Sequence, residues 1–193
     1  LGQPIDIYHM NEGHSALLVL AFAPLFFGMP YRGLMPAYAS GVLHTGPEGL
    51  GLLMAGTGAG ALCGSLLIAS LGDFRRKGLL LLWACFLWGV FLALFALSRS
   101  FLLSLVFLLF IGAGSTAFMS INSALIQTHA PPEMRGRVLS VWYMTFGLMP
   151  LAILPAGAAA EAVGVATTLA AGGVALALFI LGMMVLRPQL RRM

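Results

Sequence analysis

Long apolar runs separated by short polar links make up most of this chain. A bilayer core about 30 Å thick takes about 20 residues of helix at 1.5 Å per residue. Six stretches reach that length: 15–40, 49–71, 79–98, 101–128, 138–160 and 164–186. The links between them, 41–48, 72–78, Arg99, 129–137 and 161–164, carry Gly, Pro and charge. The pattern predicts an all-α polytopic membrane protein. Its six-transmembrane-helix bundle (15–186) lies between a connector (1–14) and a basic tail (187–193).

Inside the spans the small and polar positions are arranged, not scattered. Gly56, Gly60 and Gly64 recur every fourth residue in the second span, which places them on one helix face open to close approach by another helix. Pro24, Pro30 and Pro36 in the first span and Pro150 and Pro155 in the fifth each remove a backbone donor, so these two spans are expected to bend. In the fourth span Ser115, Met119 and Asn122 share one face, with Thr116, Ser120, Ser123 and Gln127 on the adjoining stripe. Two readings stand for these polar groups: hydrogen bonds between helices, or the lining of a solute pathway. The candidate cavity residues are Arg32, Ser115, Asn122, Ser123 and Gln127.

Composition narrows the class. With 60% hydrophobic and only 8% charged residues, a soluble domain is excluded, and so are a disordered chain and a coiled coil. Cys63 and Cys85 both lie within apolar spans and read as small buried hydrophobes, so no disulfide framework is expected. The net charge of +4 could suggest nucleic acid as a partner. Its placement argues otherwise. Arg75, Arg76, Lys77, Arg135, Arg137, Arg187, Arg191 and Arg192 fall on one side of the bilayer, against Arg99 alone in a link on the other. Such a bias puts the basic links, and both ends of this chain, in the cytoplasm. Trp142 and Tyr143 read as an interfacial belt on the basic side, and Trp83 and Trp88 as belt or packing.

Arg32 is the charge that topology does not explain. It lies about 12 Å inside the outer end of the first span, where a cation is costly. It either snorkels or caps carbonyls freed by Pro36, or it serves a cavity by holding an anionic substrate group or pairing with an acid outside this chain. Glu161 reads as interfacial. His9, Glu12 and His14 fit no zinc spacing, so no metal and no cofactor are expected. The spans hold no nucleophile with a partner base, which argues against an intramembrane enzyme.

Two links carry a resemblance. Gly72-Asp73-Phe74-Arg75-Arg76-Lys77-Gly78 joins spans two and three, and Pro132-Glu133-Met134-Arg135-Gly136-Arg137 joins spans four and five. With the glycine-rich second span, they resemble the carboxy-terminal six-helix half of a major facilitator superfamily transporter of the drug and siderophore exporter group. In the first link Phe74 stands where the family often has Arg. The resemblance implies proton-coupled export of a small amphipathic solute by alternating access, in the cytoplasmic membrane of a prokaryote. It also implies a partner bundle, the amino-terminal half of the same longer chain. The alternative is a structural or accessory six-helix subunit of a larger membrane complex. Opening on Leu1, the sequence has the look of a piece of something longer.

The same links are candidate gates. Asp73 stands at the carboxyl end of a helix, where the backbone dipole is already negative, so it requires a cationic partner. Asp73, Arg75, Arg76, Lys77, Glu133, Arg135 and Arg137 are the gating candidates, with orientation signal and lipid contact as the plainer reading of the cations.

Overall fold

The computed structural model describes residues 22–70, 77–129 and 135–186. Asp73, Arg75, Arg76 and Glu133 fall outside them, as do His9, Glu12 and His14. For Lys77, Gln127, Arg135 and Trp142 the backbone alone is described. Among the described residues every regular element is helical. A π-helical turn, Pro24–Gly28, precedes α1 (Tyr31–Gly41), α2 (Pro47–Ser70), α3 (Lys77–Leu97), α4 (Phe101–His129), α5 (Arg135–Gly147), α6 (Met149–Val163) and α7 (Val165–Leu186). The all-α membrane bundle read from the sequence is the fold observed.

Four of these helices, α2, α3, α4 and α7, are long and apolar enough to cross a membrane unaided. The first and fifth spans are not single helices. In the first, Pro30 has no N–H to return to the carbonyl four residues before it, and the Met29 N–H reaches back to the Pro24 carbonyl at 2.8 Å. That five-residue step is the π turn, a recurrent feature of bent helices. In the fifth the helix stops at Gly147 and restarts after Leu148, with Pro150 in the first turn of α6, where a missing N–H leaves nothing unpaired. Pro36 and Pro155 lie inside α1 and α6 without ending them. The link expected at 161–164 shrinks to Gly164, whose φ of 92° makes the one-residue turn between α6 and α7.

Small residues decide which helices meet. A Cβ added at Gly56 would fall 2.6 Å from the Leu105 side chain, and one at Gly64 2.6 Å from the Ala113 backbone, while at Gly60 it would overlap the Leu109 carbonyl. The glycine face of α2 is therefore seated directly on α4. A second crossing has the same chemistry: a Cβ at Gly89 of α3 would lie 2.8 Å from the Ala177 nitrogen, and one at Gly173 of α7 2.5 Å from the Ala93 nitrogen. In hydrocarbon there is no hydrophobic force to join helices, so such close backbone contact is what holds them.

The core lies where α3 and α4 meet α1 and α7, with Trp88, Tyr31, Tyr38, Phe95, Leu108 and Ile111 fully buried. Outside it the surface is apolar: Leu62, Leu66, Leu102 and Leu178 are each more than 60% exposed. That surface suits lipid tails. Trp88 is a packing residue, its ring 6.2 Å from that of Phe118, whereas Trp83 is half exposed. Cys85 is buried as expected; Cys63 is exposed on α2 and is not.

Candidate functional site

The periodicity of α1 places Arg32. Tyr31, Leu34, Met35, Tyr38 and Ala39 are buried, the i, i+3, i+4, i+7, i+8 stripe of a helix fastened by one face. Arg32, Pro36 and Ser40 are turned outward by the same geometry. Near the end of α1 the Tyr38 hydroxyl lies 2.6 Å from the carbonyl oxygens of both Phe95 and Ser98, at the end of α3, where the Phe95 carbonyl also accepts the Ser98 N–H at 3.1 Å. Its ring lies 4.5 Å from that of Phe95. Tyr38 thus pins α1 to α3, a role for which the sequence pattern offered only its place on the buried stripe.

Between α1 and α2 lies a cavity of about 280 Å3, lined by Tyr31, Arg32, Met35, Met54, Thr57, Gly58 and Ala61. The Arg32 Nε donates a long hydrogen bond, 3.4 Å, to the Tyr31 hydroxyl, and the guanidinium carbon lies 6.0 Å from the Tyr31 ring centre. Its Nη donors have no acceptor and no carboxylate among the described residues. The guanidinium does not cap the carbonyls freed by Pro36. The Thr57 hydroxyl is already bound to the Leu53 carbonyl at 3.1 Å, so the Arg32 guanidinium is the charged group that lines this cavity.

The other cavity candidates are not gathered around it. Ser115 is 1% exposed and donates within its own helix to the Gly112 carbonyl at 3.0 Å. Asn122 is fully buried, and neither its amide nitrogen nor its oxygen has a hydrogen-bond partner. Ser123, one position on, is half-buried, and the side chain of Gln127 is outside the described residues. The polar face of α4 is therefore enclosed within this bundle at Ser115 and Asn122 and partly open at Ser123. Of the gating candidates, Lys77 and Arg135 are the first residues of α3 and α5, and Arg137 is exposed in the first turn of α5.

Two further cavities flank the bundle. One of about 690 Å3, between the ends of α1 and α3 and the start of α7, holds His44 and Arg99 on its wall. Another, of about 360 Å3, lies between the π turn, α6 and α7 and is lined by Phe26, Phe27, Pro30 and Pro155 among apolar neighbours. Glu161 lies exposed near the end of α6 and lines neither of them.

The chain is similar to known proteins along most of its length. The family described as transmembrane secretion effector matches residues 9–193. Macrolide efflux protein A of Streptococcus pyogenes is 25% identical over 162 residues, covering 82% of this chain and 40% of that protein. Macrolide efflux protein A of Enterococcus faecalis is 27% identical over 149 residues, covering 76% of this chain and 45% of that protein. The chain thus spans less than half the length of these relatives.

Proposed function

The chain belongs to the transmembrane secretion effector family of the major facilitator superfamily, multi-pass membrane proteins of the efflux type, and from that premise we propose that it is the carboxy-terminal six-helix half of a secondary exporter. The exporter moves a small amphipathic solute out of the cell across the cytoplasmic membrane, driven by the proton gradient. The observation that carries this reading is Arg32, a guanidinium without a carboxylate partner, in an open cavity between two helices. A cation so far from either end of its span is a functional group by default, because lipid contact would be costly.

The rest of the mechanism follows from alternating access, in which two bundles rock about a site near the bilayer midplane. Arg32 meets the solute in its cavity between α1 and α2, with Ser123 and Gln127 of α4 as separate contacts; Ser115 and Asn122 stand behind in the packing of α4. The two bent spans supply the flexing elements. On the cytoplasmic side Asp73, with Arg75, Arg76 and Lys77, latches onto a helix end of the amino-terminal half, and Glu133, Arg135 and Arg137 form the corresponding contact between spans four and five.

Proteoliposomes holding the full-length protein test the reading. A panel of cationic, neutral and anionic fluorescent amphiphiles is offered under an imposed pH gradient. Export of at least one of them, abolished when an ionophore collapses the gradient, is the expected result. Failure to move any of them, with the protein folded and inserted, removes the proposal.

A further inference from the structure

Resting on the efflux reading, we propose that the cavity between α1 and α2 is an anion site: it takes the carboxylate or sulfonate of an amphipathic organic anion, with Arg32 as the charge that recognises it. Arg32 lies nine residues from the end of α1, about 14 Å along the axis. At that depth a cation is costly unless it snorkels or is neutralised. A lysine could shed its proton, but a guanidinium cannot, so neutralisation has to come from a partner.

The described residues contain no such partner. Their acids are Glu48 and Glu161. Glu48 is ten residues from Gly58 on α2, about 15 Å along the axis, and Glu161 stands near the end of α6. The guanidinium directs its Nε at the Tyr31 hydroxyl, a long contact of 3.4 Å. Among the described residues that leaves the paired Nη donors without an acceptor, a fork that fits two oxygens of one carboxylate or sulfonate.

The walls define the rest of the ligand. Met35 and Met54 are flexible and polarisable, able to follow apolar surfaces of differing shape. The Tyr31 ring adds an aromatic edge. A Cβ at Gly58 would meet nothing within 4 Å, so the backbone of α2 leaves open space beside the charge. A cavity of about 280 Å3 holding one fixed cation suits a ligand with one anionic group and a compact apolar body.

Two dyes sharing a scaffold isolate the charge. 8-Anilinonaphthalene-1-sulfonate carries a sulfonate that N-phenyl-1-naphthylamine lacks. Binding of each to the full-length protein in nanodiscs is read as fluorescence above protein-free nanodiscs. The sulfonate dye should bind at least tenfold more tightly than the neutral one. Arg32→Gln should erase that preference while leaving the neutral dye unchanged, and Arg32→Lys should keep part of it. Gly58→Leu, which fills the cavity without meeting neighbouring atoms at its Cβ, should weaken both dyes.

Equal binding of the two dyes, or an Arg32→Gln protein that still prefers the sulfonate, overturns the inference. So does loss of thermal stability in Arg32→Gln together with no charge preference in the wild type, which would assign Arg32 to a carboxylate of the partner bundle. A sulfonate preference that depends on Arg32, with no member of the amphiphile panel moved by proteoliposomes, upholds the site and overturns the efflux reading instead.

Discussion

Gly58 and Gly60 stand two residues apart on α2 and face opposite requirements. A methyl at Gly60 would collide with the backbone of α4, whereas one at Gly58 would enter open space. Gly60→Ala should therefore destabilise the protein by about 1–3 kcal/mol through overpacking, and Gly58→Ala should change it by under about 0.5 kcal/mol. Thermal unfolding of the detergent-solubilised full-length protein compares them. The glycine face was legible because a four-residue spacing maps directly onto a helix surface. The reciprocal Gly89–Ala93 and Gly173–Ala177 spacings carry the same signal on α3 and α7 and could have been found in the same way. Asn122 is different. Its place on a polar face was readable, but its complete burial without a partner is a tertiary fact. A buried amide left unpaired costs about 1–3 kcal/mol, so Asn122→Leu should melt at an equal or higher temperature. On the export reading Asn122 stands behind the face that meets the solute, so the same variant is expected to export at an unchanged rate; unfolding and efflux measured side by side check both outcomes.

Among the elements, the first and fifth spans depart furthest from a simple hydrophobic reading. Five prolines marked them for bending, but no sequence rule said which would break the helix. Pro30 follows the π turn and Pro150 follows the break at Leu148, while Pro36 and Pro155 are absorbed within α1 and α6. The difference lies in what surrounds each freed carbonyl and in how the neighbouring helices hold the chain, which periodicity does not encode. Restoring the N–H at the break should stiffen the fifth span. Pro150→Ala is expected to slow export several-fold while changing dye affinity less than twofold. An affinity loss that matches the transport loss would mean that the break shapes the site instead of the motion.

For the molecule as a whole, the apolar runs were legible because each span needs a fixed length of apolar sequence, and four of them are helices long and apolar enough to cross a membrane among the described residues. What surrounds the open face was not, since on the proposed reading its complement is another bundle. The chain spans less than half of its macrolide-efflux relatives. On the proposed reading, the polypeptide isolated from its native membrane should have about twice the 20.4 kDa of this chain, as two-bundle transporters built from repeated halves do. In that protein Asp73→Asn should impair turnover with expression and insertion intact, and unaltered transport would leave the basic link as a topology signal alone. The central claim is that the face carrying Arg32 opens onto water during transport. It is tested most directly by a single cysteine at Gly58 in the full-length protein, its other cysteines replaced, labelled with a membrane-impermeant maleimide. Labelling is expected from one side of the membrane, at a rate that changes several-fold when a pH gradient is imposed. Inertness from both sides under every condition, equal to that of a cysteine at the outward-facing Leu62, would contradict it.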